Sequence, residues 1–594
     1  MRPSLRLACL LLPLLAGLSP GLAQEPGERR TAPNIILILA DDAAFMDFGA
    51  FGGEAKTPVI DRLSAAGATL TNYHTSPLCS PSRAMLLTGM DAHLTGVSTI
   101  EEVLPPELKD KPGYTLSLEP GVLTLADRLK AAGYRTFMSG KWHLGHDEGE
   151  LPNHHGFDRS LALDASGADN WTAKSYMPYY SSAPWFEDGR PAKLPERFYS
   201  SEFLVDRMID YIDEAEMGQP FFGYLAFQAV HIPVQAPREF SERYRGQFDT
   251  GWETLRRMRW QRAIDRGIIP PDAPFAGMPP GSRAWSSLSE EDRARYARAM
   301  EVYSGMIEAM DFHIGRLVDH IAARGELGNT IFVITSDNGP EPSDPVHEPW
   351  MDVWMAFNGY QWSLETMGDP GSLGFIGPEW AAAISAPGSF YKFYASEGGI
   401  RVPLVIAGPG VSTGLRTGAL SFVSDVTPTL LDLAGVPVTR VAGDKPITGR
   451  SLVPLLAGTA DRIYGPGDAI GLEVSGNAAL LRDRWKLVRN MPPVGDGRWR
   501  LYDLQRDPAE VNDLSAEMPA LFDSLLADYT AYERRSGVLA LPPGYQAERQ
   551  VRRNALGRQL SFMAAPLAGA AAGVLALFAC IYLFMKRRRR QTSR

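Results

Sequence analysis

Asn34-Ile-Ile-Leu-Ile-Leu-Ala40, followed at once by Asp41-Asp42, is the stretch on which the fold turns. An unbroken apolar run of this length fits a strand covered on both faces, as in a parallel sheet with helices on either side. A second such run, Thr330-Ile-Phe-Val-Ile-Thr335, ends at Ser336-Asp337-Asn338-Gly339. It follows a long amphipathic helix in which Tyr296, Met300, Tyr303, Ile307, Met310, Ile314, Leu317 and Ile321 recur at three- and four-residue spacing. Further strands are expected at 221–227, which leads to His231, and at 402–407, with helices at 124–132 and 201–214. The alternation predicts an α/β fold, a large mostly parallel or mixed sheet flanked by helices, over residues 24–464. Short segments at 478–481, 485–488 and 499–503, with a helix near 516–534, predict a smaller antiparallel-sheet subdomain over 465–540. Open α/β sheets place their ligands beyond the carboxyl ends of the strands, and two such ends here carry acids.

The ends of the chain differ from this body. The net charge is −10, but the first 23 residues contribute +2 and the last nine +6, so the rest carries −18. A body that acidic excludes nucleic-acid binding, which needs a basic face. Residues 1–23 have Arg2 and Arg6, an apolar run from Leu7 to Leu18 and a small-residue exit, the pattern of a signal peptide. Residues 563–585 are uncharged and long enough to cross a bilayer as one transmembrane helix. The basic tail 586–594 follows, which places the C-terminus in the cytoplasm and the body outside it. Residues 541–562, with paired prolines and scattered arginines, are expected to be a stalk linker. Asn170-Trp171-Thr172 matches an N-glycosylation acceptor, a pattern that chance often supplies.

Of three cysteines, Cys9 and Cys580 fall in the terminal apolar runs, leaving Cys79 alone in the body. An internal disulfide framework is excluded, and Cys79 becomes a candidate for chemistry. Its surroundings read Pro77-Leu78-Cys79-Ser80-Pro81-Ser82-Arg83, with Thr88-Gly89 downstream, which is C-x-P-S-R followed by T-G. On this motif the chain resembles the type I, formylglycine-dependent sulfatases of the alkaline phosphatase superfamily. The likeness runs from about residue 32 to 535. Ser389-Phe-Tyr-Lys392 through Glu397-Gly-Gly-Ile-Arg-Val-Pro403 is similar to the bacterial arylsulfatases.

The resemblance implies that Cys79 is oxidised to formylglycine by a formylglycine-generating enzyme. A hydrated aldehyde suits the reaction: one oxygen of the diol attacks sulfur, and the other later expels sulfate as the carbonyl re-forms. Arg83, one helical turn on, would hold the diol oxygens. Asp41, Asp42, Asp337 and Asn338, with residue 79, would hold a hard divalent cation rather than zinc, because those four side chains offer only oxygen, and the resemblance implies Ca²⁺ in preference to Mg²⁺. An acidic pair after a strand is, by itself, as often a helix cap. Gly140-Lys141-Trp142-His143-Leu144-Gly145 matches a second signature of the family, which makes His143 the base and Lys141 a ligand of sulfate. His231 and Lys392 would face the departing alcohol. His320, on the amphipathic helix, is expected to be structural, and Glu397 is given no catalytic part. The aromatic stretch 350–380 is expected to shape a substrate mouth.

The expected activity is hydrolysis of a small-molecule sulfate monoester, aryl or alkyl. Two rivals remain at this level: a phosphonate monoester or phosphodiester hydrolase using the same site, and a non-catalytic surface protein that binds sulfated ligands.

Overall fold

The computed structural model describes residues 32–438, 444–562 and 578–582. A ten-stranded mixed sheet forms the centre, in the order Leu415–Thr417, Ala68–Leu70, Leu404–Ala407, Thr330–Ser336, Asn34–Ala40, Phe221–Ala226, Arg135–Lys141, Arg159–Leu163, Trp185–Glu187, Arg190–Pro191. The five strands from Thr330–Ser336 to Arg159–Leu163 are mutually parallel. Asn34–Ala40 lies among them, every residue buried. That burial is why it reads as a continuous apolar run, each aliphatic side chain contributing roughly 1.5–3 kcal/mol. Ile36 and Ile38 enter the core on one face of the sheet, Ile35, Leu37 and Leu39 that on the other. Leu404–Ala407 joins antiparallel to Thr330–Ser336.

Glu290–Ala323 is a 34-residue helix whose apolar face packs on the first core. Ser289 caps it by accepting from the Asp292 N–H at 3.0 Å, and Glu290, Glu291 and Asp292 complement the helix dipole in its first turn. The expected helices appear as Leu125–Ala131 and Ser200–Asp213.

Arg135–Lys141 was not foreseen as a strand, because Arg135, Thr136, Ser139 and Gly140 interrupt its apolar character. Gly140 stands at φ +125°, and a Cβ there would lie 1.8 Å from the Ala226 carbonyl oxygen of the adjacent strand. The glycine is therefore required for this strand to pair and for Lys141 to emerge at its end.

The C-terminal unit is a four-stranded antiparallel sheet, Ala469–Val474, Asn477–Arg482, Trp485–Arg489 and Trp499–Asp503, with the helix Pro519–Ser536 packed on it through Leu525, Tyr529 and Tyr532. Its first strand was missed. Residues 547–562, expected as a linker, are instead helical and lie on the body. Residues 1–23, most of 563–585, and 586–594 fall outside the described residues, and among the described ones no helix is long and apolar enough to cross a membrane. Asn170 is 1 % exposed and its Nδ2 donates to the Pro233 carbonyl at 3.0 Å, so the acceptor pattern is closed to a glycan in the folded chain.

Candidate active site

Two strand ends and one helix start converge above the sheet. Asp41 and Asp42 follow Asn34–Ala40, Asp337 and Asn338 follow Thr330–Ser336, and Cys79 is the first residue of the helix Cys79–Thr88. All five are buried. The Cys79 thiol points at Asp41 Oδ1, 3.5 Å away, and Asp42 Oδ1, 3.8 Å away. No side chain caps this helix, so its first N–H groups face the site and favour negative charge there. The rest of C-x-P-S-R has a local reason as well. Pro81 lies in the first turn, where its missing N–H costs nothing, and Ser82 Oγ ties the preceding loop by accepting from Ser76 N–H and donating to its carbonyl.

Around these sit the cations. Lys141 donates to Asp41 Oδ2 at 2.7 Å. Arg83 makes two bonds to Asp337 Oδ2, at 2.9 and 2.7 Å, and one to the Lys141 carbonyl at 2.8 Å. It therefore clamps an acid of the cluster. Lys392 donates to Asp42 Oδ2 at 2.9 Å and pairs with Glu341 Oε2 at 2.7 Å.

The histidines complete the ring. His231 Nδ1 donates to the Ile232 carbonyl at 2.6 Å, which fixes the neutral tautomer and leaves Nε2 toward Asp42 Oδ2, 3.5 Å away. His143 is buried, with no hydrogen-bond partner at Nδ1. Burial, then the charges of Lys141 and Arg83, push it well below the ordinary histidine range, so it rests neutral. Asp42 and His143 both adopt positive φ, 66° and 58°, an uncommon conformation for such residues and one that gathers at working sites.

The acids are not at ease. Burial, together with Asp41, Glu341 and Asp337, pushes Asp42 well above the carboxylate range against the pull of Lys392. Asp337 is raised by burial and by Asp41. Four carboxylates (Asp41, Asp42, Asp337, Glu341) face three cations (Arg83, Lys141, Lys392), and Asn338 Oδ1 is buried without a partner. An orphaned oxygen among crowded carboxylates fits a hard divalent cation. Side-chain atoms of Asp41, Asp42, Cys79 and Asp337 all lie within 4.8 Å of one another. With all four acids ionised, a divalent ion would turn the local charge from −1 to +1, the complement of a sulfate monoester.

All ten residues picked out in the sequence thus belong to one buried region. Glu341 was missed; its signal was the need of isolated, buried Lys392 for a counter-ion. The wall beyond His231 was missed too: Tyr176 meets the imidazole edge-to-face at 5.2 Å, and its hydroxyl bonds Ser166 Oγ at 3.0 Å. The aromatic stretch 350–380 divides. Trp354 stacks on Tyr360, whose hydroxyl donates to the Ser175 carbonyl beside Tyr176, so this part reaches the site wall. Trp380 is fully buried among Phe248, Trp252 and Trp285 and belongs to the core.

Loop 387–403 carries Lys392 and is braced from outside. A Cβ on Gly339 would lie 1.9 Å from the Gly398 carbonyl oxygen, and a Cβ on Gly398 would lie 2.2 Å from the Phe390 carbonyl oxygen, which explains the glycine in each motif. Glu397 binds Lys486 at 2.8 Å and His74 Nε2 at 3.1 Å, a structural joint to the C-terminal sheet. His320 pairs with Asp213 at 2.8 Å, away from the cluster.

The sulfatase family model matches residues 33–436. The chain belongs to the sulfatase family. A second family model, N-sulphoglucosamine sulphohydrolase C-terminal, matches residues 387–523. An uncharacterized sulfatase of Schizosaccharomyces pombe is 35% identical over 538 residues, 87% of this chain and 96% of that one. The arylsulfatase of Klebsiella aerogenes is 34% identical over 447 residues, 73% and 92% of the two chains. The crystal structure of Ps i-CgsB in complex with k-i-k-neocarrahexaose shares the fold, with a TM-score of 0.62 at 22% identity over 88% of this chain and 98% of that one. This sulfatase is a sulfuric ester hydrolase.

Proposed function

We propose that the protein hydrolyses an aryl or alkyl sulfate monoester to alcohol and sulfate at residue 79, after a formylglycine-generating enzyme has oxidised Cys79. The observation that carries this reading is the position of Cys79 Sγ, at an uncapped helix start and 3.5 Å from an acid of an oxygen-donor cluster. That sulfur stands in for an oxygen of the hydrated formylglycine, which attacks sulfur and later re-forms its carbonyl. Burial pushes the unmodified thiol well above its usual range despite Lys141 and Lys392, so a plain thiolate is a poor candidate for the nucleophile. Asp41, Asp42, Asp337, Asn338 and residue 79 would hold Ca²⁺, or less favourably Mg²⁺, whose charge offsets that of the sulfate oxygens and eases deprotonation of the attacking hydroxyl.

The chain's own residues do the rest. Arg83 fixes Asp337, and Lys141 orients Asp41 and presents positive charge to sulfate. Neutral His143 takes the proton of the remaining hydroxyl on residue 79 as sulfate leaves. Lys392, kept charged by Asp42 and Glu341, stabilises the departing alcohol oxygen from the side of His231. The enzyme acts outside the cytoplasm, exported by the signal peptide of residues 1–23 and held by residues 563–585 in the membrane, with 586–594 inside.

The mass of the tryptic peptide 63–83, from protein made beside a formylglycine-generating enzyme, tests the core of this reading. Loss of H₂S with gain of one oxygen is expected. An intact thiol in fully active protein would overturn the mechanism.

A further inference from the structure

The helix over 547–562 has two faces. One sits on the enzyme: Ala547 and Val551 pack against Leu78, Ile100, Val103 and Val474. Asn554 Nδ2 donates to the carbonyls of Glu101, Glu102 and Leu104 at 3.3, 3.0 and 3.0 Å, and Arg558 pairs with Glu101. Leu78 adjoins Cys79, so this contact lies beside the active site. The other face carries Leu556 and Leu560, 61 and 58 % exposed, and the helix ends at Phe562, 36 % exposed.

Arg552, one turn before Leu556, bridges to both carboxylate oxygens of Glu348 at 3.0 Å. Two residues beyond Glu348 the chain exposes Trp350 at 80 %, then Val353 and Phe357, 42 and 86 %, from the helix Met351–Phe357. Two apolar surfaces are thus tied together by one ion pair. A soluble monomer rarely leaves such a patch to water.

The chemistry around the patch names what covers it. The helix over 547–562 holds four arginines against one glutamate, in a body that is otherwise strongly acidic; Arg552 and Arg558 pair with Glu348 and Glu101, which leaves exposed Arg549 and Arg553 for an outside partner. The uncharged run 563–585 begins at the residue after Phe562. Arginines combined with exposed Trp, Phe and Leu suit the interface of an anionic bilayer, where the rings enter the acyl boundary and the guanidinium groups meet headgroups. A protein partner would account for the apolar residues but not for the basic segment placed where the apolar run starts.

We propose that Trp350, Val353 and Phe357, with Leu556, Leu560 and Phe562, form a docking face for an anionic lipid surface. It lays the enzyme on the bilayer along the side where Trp354, Tyr360 and Tyr176 lead to His231, and so keeps the substrate mouth at the lipid interface. The inference rests on the anchor reading of 563–585 but concerns a separate contact.

The test uses the full chain with Cys580→Ser, carrying an environment-sensitive fluorophore at Trp350→Cys or Phe357→Cys, in phosphatidylcholine vesicles with and without phosphatidylglycerol. Met217→Cys, exposed just ahead of the strand Phe221–Ala226 at the opposite end of the sheet, is the control position. Brominated acyl chains should quench the probes at 350 and 357 severalfold more than that at 217. Leu556→Ser with Leu560→Ser should reduce quenching at 357, and so should omission of phosphatidylglycerol. Carbonate extraction reports the anchor independently. Quenching supports the docking face whether or not the chain resists extraction. Resistance without quenching overturns the docking face and leaves the anchor standing, whereas absence of both overturns the two together. Equal quenching without phosphatidylglycerol overturns the anionic part of the proposal.

Discussion

Loop 387–403 runs between two buried charge clusters made from the same kinds of side chain. On the inner side, Asp41, Asp42, Asp337 and Glu341 face Arg83, Lys141 and Lys392. On the outer side, Glu397 and Glu510 each lie 2.8 Å from Lys486, with Arg401 and His74 beside Glu397. The outer cluster balances in charge, because two acids meet two cations and burial leaves His74 below its ordinary range despite Glu397. The inner one does not balance: it has one acid too many and an orphaned oxygen on Asn338, whereas the unbonded nitrogen of His143 and the positive φ of Asp42 and His143 have outer counterparts in His74 Nδ1 and Glu510. Burial of charge alone therefore says little about function. A buried cluster marks a site when its charges stay unbalanced until something else binds.

The largest effect should follow from Asp337→Ala. It removes both the partner of Arg83 and one oxygen of the cation cluster, and turnover of an aryl sulfate should fall by at least about a thousandfold. Near-UV circular dichroism and thermal melting should change little by comparison; equal loss of fold and turnover would erase the contrast between the clusters. Lys486→Met is the matching change outside. It leaves Glu397 and Glu510 buried without their shared cation and should cost about 3–5 kcal/mol of stability. Below the lowered melting temperature, turnover should stay within about tenfold of the parent, as expected of a joint that only braces the loop. If Lys486→Met abolished turnover at unchanged stability, the outer cluster would be part of the chemistry.

How much of this the sequence disclosed depends on the kind of signal. Strands buried on both faces, such as Asn34–Ala40 and Thr330–Ser336, are plain because nothing polar interrupts them. Arg135–Lys141 was hidden by Ser139 and by the glycine that its close pairing demands, yet its motif marked Lys141 and His143. The site residues were legible as short motifs because each is fixed by local geometry: Ser82 holds a loop, Gly140 lets a strand pass, Gly339 lets another loop approach. Contacts between distant segments left no local trace. Nothing near Glu397 announces Lys486, 89 residues away, and the helix over 547–562 gains its apolar contacts only by docking on Leu78 and Val103.

Glu341 offers the finest test of the comparison, because it belongs to the inner cluster without being a donor to the cation. Burial would raise its carboxyl, but Lys392 holds it down at about 2, so it is charged at any working pH. Its bond to Lys392 shares that cation with Asp42. In Glu341→Gln the shape persists and the charge is lost, so Lys392 is drawn wholly to Asp42 and away from a departing alcohol. The expected result is a fall in kcat of about tenfold, near 1.4 kcal/mol, with KM little changed. The loss should be greater for alkyl sulfates, whose leaving oxygen bears more charge, than for aryl sulfates, whose ring spreads it. Glu341→Asp, which restores the charge at shorter reach, should recover part of the rate. A uniform rise in KM across both substrate types would instead place Glu341 in binding, and would move the boundary between the two clusters inward to Lys392.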